Sequence, residues 1–449
     1  MILSVPSTIA PLQSFDVTVE LRTAAGAIAT QATDAVTLSL DALPDLLWHG
    51  SGNTTRVTEL VEVTTAATVV APLPSPISGE IFGATWVESF GSLVVTDIDS
   101  AIGLANPTTG DEVRFRDGVT LLADLRSIVV DGAGVGHAGD PFSDDRHTID
   151  LLTGTSTIVG AWTFSPAAFT VGGAQGFAKH PTNGTIFGIV AATPQALSRR
   201  LVTVDLTAGT FTDVGDLGTR FSCLVFNPAG VLYGVTGDGG TPSETLFTID
   251  TATAATAQIA ALGNGADGEV IALVPRRLRG TVTVNAVAGV ATFNNVWFEQ
   301  IGADCTLTAT TSTLTSAAST AVQVTGAVTP GASVQFDLAS SSVAENVLGG
   351  AAQVTVSLSA PVDYALPVMF TVDSVSTATI GGATPDATIA GAFQLIFAPG
   401  ETTKTISVQI DDDASTEGDE TVIITIRSAL LATSIGAPAT HALTILDDE

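Results

Sequence analysis

The chain has 449 residues, of which 45% are apolar and only 13% are charged. The charged residues divide into 45 acidic and 15 basic, which gives a formal net charge of −30 at pH 7. This charge disfavours binding to nucleic acid or to an anionic membrane surface and favours binding to cations. The length suffices for several domains, and the many Thr- and Val-rich stretches of period two predict an all-β protein.

The first 41 residues predict a small β-module. Residues 14–21 and 35–40 alternate between apolar and polar, with a turn expected at Ala24-Ala25-Gly26. Helical turns are expected only near 42–48 and 193–199. The two cysteines, Cys223 and Cys305, lie in strand-like runs of different predicted domains, so we expect buried thiols rather than a disulfide.

A repeat fills the middle of the chain, from about residue 45 to about residue 275. In each copy a strand ends in a small polar turn, and the turns fall at Ala66, Gly110, Gly154, Gly209 and Ala254, which are 44, 44, 55 and 45 residues apart. A period of this size is typical of one four-stranded blade per repeat. Residues 42–278 are therefore predicted to form a five-bladed β-propeller.

The first repeat lacks an inner strand, because residues 46–50 already read as a second strand. A segment of the missing kind follows the fifth repeat, at 268–275. We expect it to complete the first blade, since a ring closed in this way leaves no bare strand edge. The repeats resemble propellers of the "LY-x-ID-x-x-TG" kind, a similarity that names no activity.

The alternation of apolar and polar residues seen in the first 41 residues recurs after the repeat, in the segments 280–284, 289–293, 305–310 and 321–325. The motifs Val36–Leu40 and Gly280–Phe293 resemble those of one bacterial Ig-like domain. The resemblance implies a discontinuous Ig-like β-sandwich, residues 1–41 and 279–327, with the propeller inserted in one of its loops. The alternative is two unrelated β-modules that flank the propeller.

The last third of the chain holds the densest acidic sequence. The acidic run 411–420 separates the alternating segments 404–410 and 421–426, and residues 447–449, Asp-Asp-Glu, follow another strand. Carboxylates this close repel one another, and a hard divalent cation relieves that repulsion. Calcium is the natural candidate, because it takes about six to eight oxygen ligands in irregular geometry.

This acidic segment resembles the Calx-beta domain over about residues 330–449. The motifs that carry the resemblance are Val334–Phe336, Ser342–Asn346, Phe397–Thr402, the acidic run and the terminal Asp-Asp-Glu. It implies a calcium-binding β-sandwich over residues 328–449, with the ions at one tip. The ligands that it implies are Glu345, Asp386, Asp411, Asp412, Glu417, Asp447 and Asp448.

The Calx-beta resemblance has one departure. The family often has Asp-Tyr where this chain has Asp386-Ala387. The alternative interpretation of the carboxylates is a solvated acidic edge that prevents pairing with other strands.

Motifs of catalysis are absent from the sequence: there is no His-Glu-x-x-His, Cys-x-x-Cys, Walker loop or Gly-x-Ser-x-Gly. The five histidines are scattered, so we expect structural or exposed roles for them. The acidic segments 140–145 and 97–99 offer loop carboxylates, although such loops are usually just solvated. Glycoside cleavage in the propeller would need a pair of carboxylates, for which the candidates are Glu80, Glu88, Asp124 and Glu269.

These observations predict a non-enzymatic, calcium-stabilised modular protein of a bacterial cell surface or extracellular fibre, with a structural or adhesive role. Its expected partners are calcium and, further, copies of itself or surface proteins and glycans. No uninterrupted apolar run of about 18 residues occurs, so we expect no membrane insertion. Residues 1–6 are too short for a secretory signal, and we expect a fragment of a longer chain or another export route. The alternatives are a glycan- or ligand-binding propeller, a glycosidase or a virion fibre component.

Overall fold

The structure is a computed structural model of the chain. It describes the whole chain except residues 42, 52–57, 65–66, 74–80, 89–91, 98–101, 106, 108–111, 115–124, 141, 152–155, 168, 193–197, 238, 263–267, 326–331, 348–349, 363–365, 374, 381–384, 390–393, 413–415, 417, 430–432 and 449. Side chains are also not described for residues 51, 70–73, 97, 112–114, 127, 268–269, 428–429 and 433. The protein is all-β, which confirms the predicted class, and its described residues include no helix long and apolar enough to cross a bilayer.

Four strands precede the repeat region: β1 (Ile2–Ser4), β2 (Thr8–Ile9), β3 (Phe15–Glu20) and β4 (Ala35–Leu40). The repeat region contains β5 (Asp45–Ser51), β6 (Thr58–Val63), β7 (Ala67–Leu73), β8 (Ile81–Val87), β9 (Ser92–Asp97), β10 (Ile102–Ala105), β11 (Glu112–Arg114), β12 (Arg126–Val130), β13 (Val135–Gly139), β14 (Asp145–Asp150), β15 (Ser156–Ala161), β16 (Thr163–Phe164), β17 (Ala174–Lys179), β18 (Ile186–Val190), β19 (Arg200–Asp205), β20 (Thr210–Asp216), β21 (Phe221–Phe226), β22 (Leu232–Thr236), β23 (Thr245–Ile249), β24 (Thr256–Ala261) and β25 (Gly268–Leu273).

The remaining strands follow the repeat. They begin with β26 (Leu278–Arg279), β27 (Thr283–Asn285), β28 (Val290–Phe298), β29 (Gly302–Cys305), β30 (Leu307–Thr310), β31 (Ala317–Ala318) and β32 (Val322–Val324). The last third contains β33 (Ala332–Phe336), β34 (Ser340–Ala344), β35 (Ala351–Leu358), β36 (Leu366–Val372), β37 (Ala387–Ile389), β38 (Gln394–Phe397), β39 (Thr403–Ile410), β40 (Glu420–Ala429), β41 (Thr433–Ile435) and β42 (Thr440–Leu446).

The chain divides into two compact units, and the first joins Met1–Leu46 to Val274–Gly331. Its sheets have the strand orders β1-β3-β28-β26, β27-β4-β30-β31 and β2-β32-β29, so strands from before and after the repeat pair with one another. Alternation in β3 buries Phe15, Val17 and Val19 and exposes Asp16. The ring of Phe15 stacks on that of Phe298, with centroids 5.3 Å apart.

Two sequence-based expectations are wrong at the strand level. The segment 305–310 is not one strand, because β29 and β30 belong to different sheets. The helical turn expected near residues 42–48 is contradicted where β5 begins, at Asp45. Leu46, Leu47 and Trp48 are all buried, and a strand buried on both faces gives an unbroken apolar run that resembles a helix. Most of the other expected turn, 193–197, lies outside the described residues.

Residues Leu47–Leu273 of the second unit form five sheets in succession. Their strand orders are β25-β5-β6-β7, β8-β9-β10-β11, β12-β13-β14-β15, β17-β18-β19-β20-β16 and β21-β22-β23-β24. The innermost strands β25, β8, β12, β17 and β21 contact one another in turn and return to β25. We call this arrangement the five-sheet ring. Within it β25 pairs with β5, so the first sheet takes strands from both ends of this region.

Glycines at equivalent positions of two sheets allow close packing between the inner strand and the second strand. A Cβ on Gly188 would lie 2.7 Å from the ring of Phe177, and one on Gly234 would lie 2.8 Å from the ring of Phe221. Each glycine is on the second strand of its sheet, and each aromatic ring comes from the inner strand. The glycine therefore admits the aromatic side chain that packs on it, and alanine at either position would clash.

The residues Ala332–Glu449 form two sheets, with the strand orders β37-β39-β35-β33-β41 and β34-β42-β40-β36-β38. Alternate residues of facing strands are buried, as shown by Ile406 and Val408 on β39 and by Val422 and Ile424 on β40. Such alternation on both sheets is characteristic of a β-sandwich, with one face of each sheet in the core.

Candidate functional site

The acidic residues of the C-terminal sandwich gather at one end because of the direction of its strands. The strands β34 and β42 are parallel and end together, so Glu345 and Asp447, which follow them, leave the same edge. The start of β37 pairs with the end of β39, so Asp386 and Asp411 are neighbours. We call the described predicted ligands at this end of the sandwich the acidic end: Glu345, Asp386, Asp411, Asp412, Asp447 and Asp448.

Two chain connections join the sheets at the acidic end. The connection 345–350 leads from β34 to β35, and the amide of Ile410 donates to the carbonyl of Gly350 at 2.8 Å. The connection 411–419 leads from β39 to β40, and the amide of Gly418 donates to Oδ2 of Asp447 at 2.8 Å. Gly418, near the end of the acidic run, therefore lies beside Asp447, near the end of the chain.

Backbone contacts bring the predicted ligands together in two groups. In the first, the amide of Glu345 donates to the carbonyl of Leu446 at 3.0 Å. In the second, the amide of Asp411 donates to the carbonyl of Asp386 at 3.1 Å. The two residues of each pair are far apart in the sequence, and strand pairing makes them neighbours.

Several carboxylates of the acidic end accept hydrogen bonds from nearby donors. The side-chain amide of Asn346 donates to Asp448, and the backbone amide of Thr379 donates to Asp386. The hydroxyl of Thr388 donates to Oδ2 of Asp411 at 3.5 Å. These donors orient carboxylates that would otherwise separate through like-charge repulsion.

Burial differs across the acidic end. Glu345 is buried, with 8% of its surface exposed, whereas Asp411, Asp412 and Asp448 are exposed. Within the part of the chain that the structure describes, no three of these carboxylates have ligand atoms within 4.8 Å of one another. Glu417 lies outside the described residues. The strands that carry these residues thus end close together, and the ligand set itself stays a prediction. The predicted ligands offer only oxygen atoms, which suits a hard cation such as calcium.

A second candidate site is a basic pocket at one end of the five-sheet ring. It is lined by Arg126, Phe142, Gln175, Arg199, Arg220, Phe221, Ser222 and Gly237. Inner strands begin at or beside this pocket, since β12 starts at Arg126 and β21 starts at Phe221. Three arginines therefore meet in a chain that has only 15 basic residues.

The backbone fixes two of the three pocket arginines side by side. The amide of Arg199 donates to the carbonyl of Thr219 at 3.1 Å, and the amide of Gly237 donates to the carbonyl of Arg220 at 3.2 Å. Arg199 is only 8% exposed. Burial, together with the positive charges of Arg220 and Arg126, lowers the pKa of Arg199 to about 10. Such a group of like charges attracts an anion.

The pocket also has an aromatic wall. The guanidinium of Arg126 lies 4.0 Å from the ring centroid of Phe82 and 5.8 Å from that of Phe142. Phe142 is 73% exposed, an unusual fraction for a phenylalanine beside a pocket. Sequence reasoning missed this pocket, because its arginines come from three widely separated segments.

A third cluster contains Asp140, Asp145 and His147, whose ligand atoms all lie within 4.8 Å of one another. The sequence suggested the acidic loop 140–145, but not that a histidine would join it. The signal was the spacing Asp145-x-His147, which places both side chains on one face of a strand.

The carboxylates considered for glycoside cleavage are placed only in part. Glu80 and Asp124 lie outside the described residues, and of Glu269 only the backbone is described. Glu88 accepts a hydrogen bond from the indole nitrogen of Trp86 at 3.0 Å. The two cysteines, Cys223 and Cys305, are both free and buried.

Comparison with known proteins identifies the C-terminal part of the chain. Residues 329–449 match the family model described as "Calx-beta domain". No curated protein matches the chain.

Solved structures give weaker likenesses. The structure of CBD12 from CALX1.2 is 25% identical with a TM-score of 0.23; the match covers 26% of this chain and 44% of that chain, less than half of its length. The calcium binding domain CBD12 of CALX1.1 is 23% identical with a TM-score of 0.21, covering 26% of this chain and 45% of that chain. XC5397, a gluconolactonase from Xanthomonas campestris, is 15% identical with a TM-score of 0.33, covering 62% of this chain and 95% of that chain.

Overall superposition is poor in all three cases, so these likenesses carry no argument about activity. The family match agrees with the strand topology of the sandwich and with the motifs of the acidic end. Residues 329–449 of this chain are a Calx-beta domain.

Proposed function

We propose that the chain is a non-enzymatic structural or adhesive protein of a cell surface or extracellular fibre, and that calcium bound at the acidic end stiffens its Calx-beta domain. The observation that supports calcium is the convergence of strand ends carrying Glu345, Asp386, Asp411 and Asp447 at one end of that domain. A cation there would link both sheets and the two connections between them.

The rest of the chain fits a modular scaffold. The sandwiches would act as spacers, and the loops of the five-sheet ring would contact a partner, either another copy of the chain or a surface protein or glycan. The net charge of −30 keeps such a protein away from nucleic acid and anionic lipid. Antibody labelling of intact cells tests the location, and labelling that appears only after lysis would contradict it.

Calorimetric titration of calcium into the full chain, freed of metal beforehand, tests the proposed binding. We expect a saturable heat that Asp411→Asn combined with Asp447→Asn abolishes, because a calcium site that loses two carboxylates loses most of its charge. Glu401→Gln is the matched control, since Glu401 precedes the other end of β39. Equal heats from the double variant and the control would refute binding at the acidic end.

A second candidate function, ligand binding by the five-sheet ring, is favoured by the basic pocket. Three arginines and an exposed aromatic ring suit an acidic sugar, whose carboxylate or sulfate would pair with the guanidinium groups while its ring stacks on Phe142. Because the rest of the chain is acidic, an anion would be attracted to the arginines of this pocket and repelled by the remaining surface.

Removal of one positive charge from the pocket by Arg220→Gln is expected to weaken the binding of an acidic sugar by about tenfold or more, because a hydrogen bond to a charged group contributes about 1.5–3 kcal/mol. The measurement compares galacturonate and a sulfated monosaccharide with neutral galactose, on the parent chain and on Arg220→Gln. Arg22→Gln is the control, since Arg22 pairs with Glu20 outside the ring. Equal affinity for the neutral sugar, or no effect of Arg220→Gln, would exclude this ligand class.

A further inference from the structure

The hairpin of β13 and β14 in the third sheet of the ring places two carboxylates and an imidazole on one face. Its register sets Ala138 opposite His147 and Gly139 opposite Arg146. Continued by one residue, the register sets Asp140 opposite Asp145. Residues that face one another across strands, and residues two apart on one strand, point to the same side of a sheet. Asp140, Asp145 and His147 therefore share a face.

The distances within this cluster suit a metal ion. One ligand atom from each of Asp140, Asp145 and His147 lies within 4.8 Å of the other two. A transition metal with bonds of about 2.0–2.2 Å holds its ligand atoms roughly 3–4 Å apart. Small side-chain rotations would therefore bring all three into contact with one ion. No other group of three such side chains this close occurs among the described residues.

A separate observation concerns His147 itself. Its side chain is completely buried, with 0% of its surface exposed. Neither ring nitrogen makes a hydrogen bond to any residue that the structure describes. A buried polar group without a partner costs about 1–3 kcal/mol. A metal bond would satisfy one nitrogen, whereas the solvated-loop interpretation of the acidic cluster leaves the buried imidazole unexplained.

The surroundings hold the two carboxylates in place. The amide of Phe142 donates to Oδ1 of Asp140 at 2.7 Å, and the hydroxyl of Ser143 donates to Oδ2 of Asp145 at 3.0 Å. The loop is also fixed through its backbone, because the amide of Ala174 donates to the carbonyl of Asp140 at 2.8 Å. Hydrogen bonds of this kind orient ligands around a metal, and each carboxylate has a second oxygen to offer.

We propose that Asp140, Asp145 and His147 bind a divalent transition-metal ion such as Zn²⁺, with one ligand atom from each side chain and water completing the coordination. An imidazole ligand distinguishes this site from the acidic end, since calcium prefers oxygen alone while zinc accepts nitrogen and oxygen together. The proposal is independent of calcium binding by the Calx-beta domain. Bound metal would also fix the loop that carries Phe142 into the basic pocket.

The test uses the full chain, freed of metal with EDTA and then titrated with Zn²⁺ by calorimetry and with Co²⁺ by visible absorption. The parent chain is expected to bind one equivalent of Zn²⁺ more than the Asp140→Asn or Asp145→Asn variant. Each variant should show at least a tenfold loss of Zn²⁺ affinity at this site and should lose the Co²⁺ ligand-field band. Asp144→Asn is the matched control, because Asp144 is an exposed carboxylate of the same loop outside the cluster.

Two further arms make the outcome decisive. The combined Asp411→Asn and Asp447→Asn variant should keep the Zn²⁺ equivalent, which separates this site from the acidic end. The asparagine variants preserve side-chain shape, so a circular dichroism spectrum that matches the parent shows that the fold is retained. Unchanged Zn²⁺ affinity and Co²⁺ absorption in both asparagine variants, or no Zn²⁺ binding by the parent chain, would overturn the proposal.

Discussion

Calcium is expected to raise the melting temperature of the Calx-beta domain by on the order of 10 °C, and EGTA is expected to reverse that rise. An ion that binds only the folded domain stabilises it by about 2.7 kcal/mol when its concentration is 100-fold above Kd. For a domain of this size each kcal/mol moves the melting temperature by roughly 4 °C or more. Calorimetric scans of the full chain with calcium and with EGTA measure the shift.

Paired variants show whether that shift arises at the acidic end. Asp411→Asn with Asp447→Asn should lose the calcium response while melting in EGTA at or above the parent temperature, because fewer like charges then face one another. Glu401→Gln should keep the response. A calcium response that survives in the double variant would place the ion elsewhere, and a melting temperature unaffected by calcium in the parent chain would reject calcium stabilisation altogether.

Removal of calcium should also change proteolysis. Cleavage between residues 411 and 420 is expected to increase in EGTA, because local opening of a connection is governed by the free energy of the contacts that hold it. The connection joins the two sheets, and Gly418 donates to Asp447 at its far end. A glutamate-specific protease followed by mass spectrometry locates the cuts.

Strand alternation explains why so much of the fold can be predicted from the sequence. Side chains on β3, β39 and β42 alternate between the core and the surface, so period two shows in the sequence itself. The clearest example is the segment 268–275, which is expected from the sequence to pair within the first repeat: β25 spans Gly268–Leu273 and pairs with β5. The prediction fails where both faces are buried, as at Leu46–Trp48, because the pattern there loses its period.

The candidate sites are predicted less completely, because they depend on register. The ends of β39 and β42 are visible in the sequence, and so are the carboxylates that follow them. The contact of Asp411 with Asp386 needs the pairing of β37 with β39. The cluster around His147 needs the register of one hairpin, and the basic pocket needs three sheets of a closed ring. Spacing along the sequence shows only one part of these sites, the two-residue interval between Asp145 and His147.

A buried group of one histidine and two glutamates at the closure of the five-sheet ring is expected to have the second large effect. His49 on β5 has its Nδ1 3.1 Å from Oε1 of Glu59, and its Nε2 3.6 Å from Oε1 of Glu244. The three side chains are 0%, 6% and 0% exposed. Glu244 comes just before β23 of the last sheet, whereas His49 and Glu59 belong to the first. The histidine therefore links the two sheets between which the ring closes.

His49→Leu is expected to destabilise the ring by about 1–3 kcal/mol, because it replaces the imidazole that faces two buried carboxylates with an apolar side chain. Since a chain of several domains does not unfold in one step, the measurement is the melting temperature of the ring transition, identified by calorimetry at a fixed calcium concentration.

Two comparisons separate charge from packing at His49. Adding Glu59→Gln and Glu244→Gln to His49→Leu should restore much of the lost stability, because the triple variant no longer buries a carboxylate beside an apolar side chain. His137→Leu is the control, since His137 pairs at 2.9 Å with Asp131, a carboxylate that is 31% exposed, and such a pair contributes about 1 kcal/mol or less. If His49→Leu lowers the transition temperature no more than His137→Leu does, the ring does not depend on the contacts of His49 for its closure. If the triple variant is no more stable than the single one, imidazole packing rather than charge holds the two sheets together.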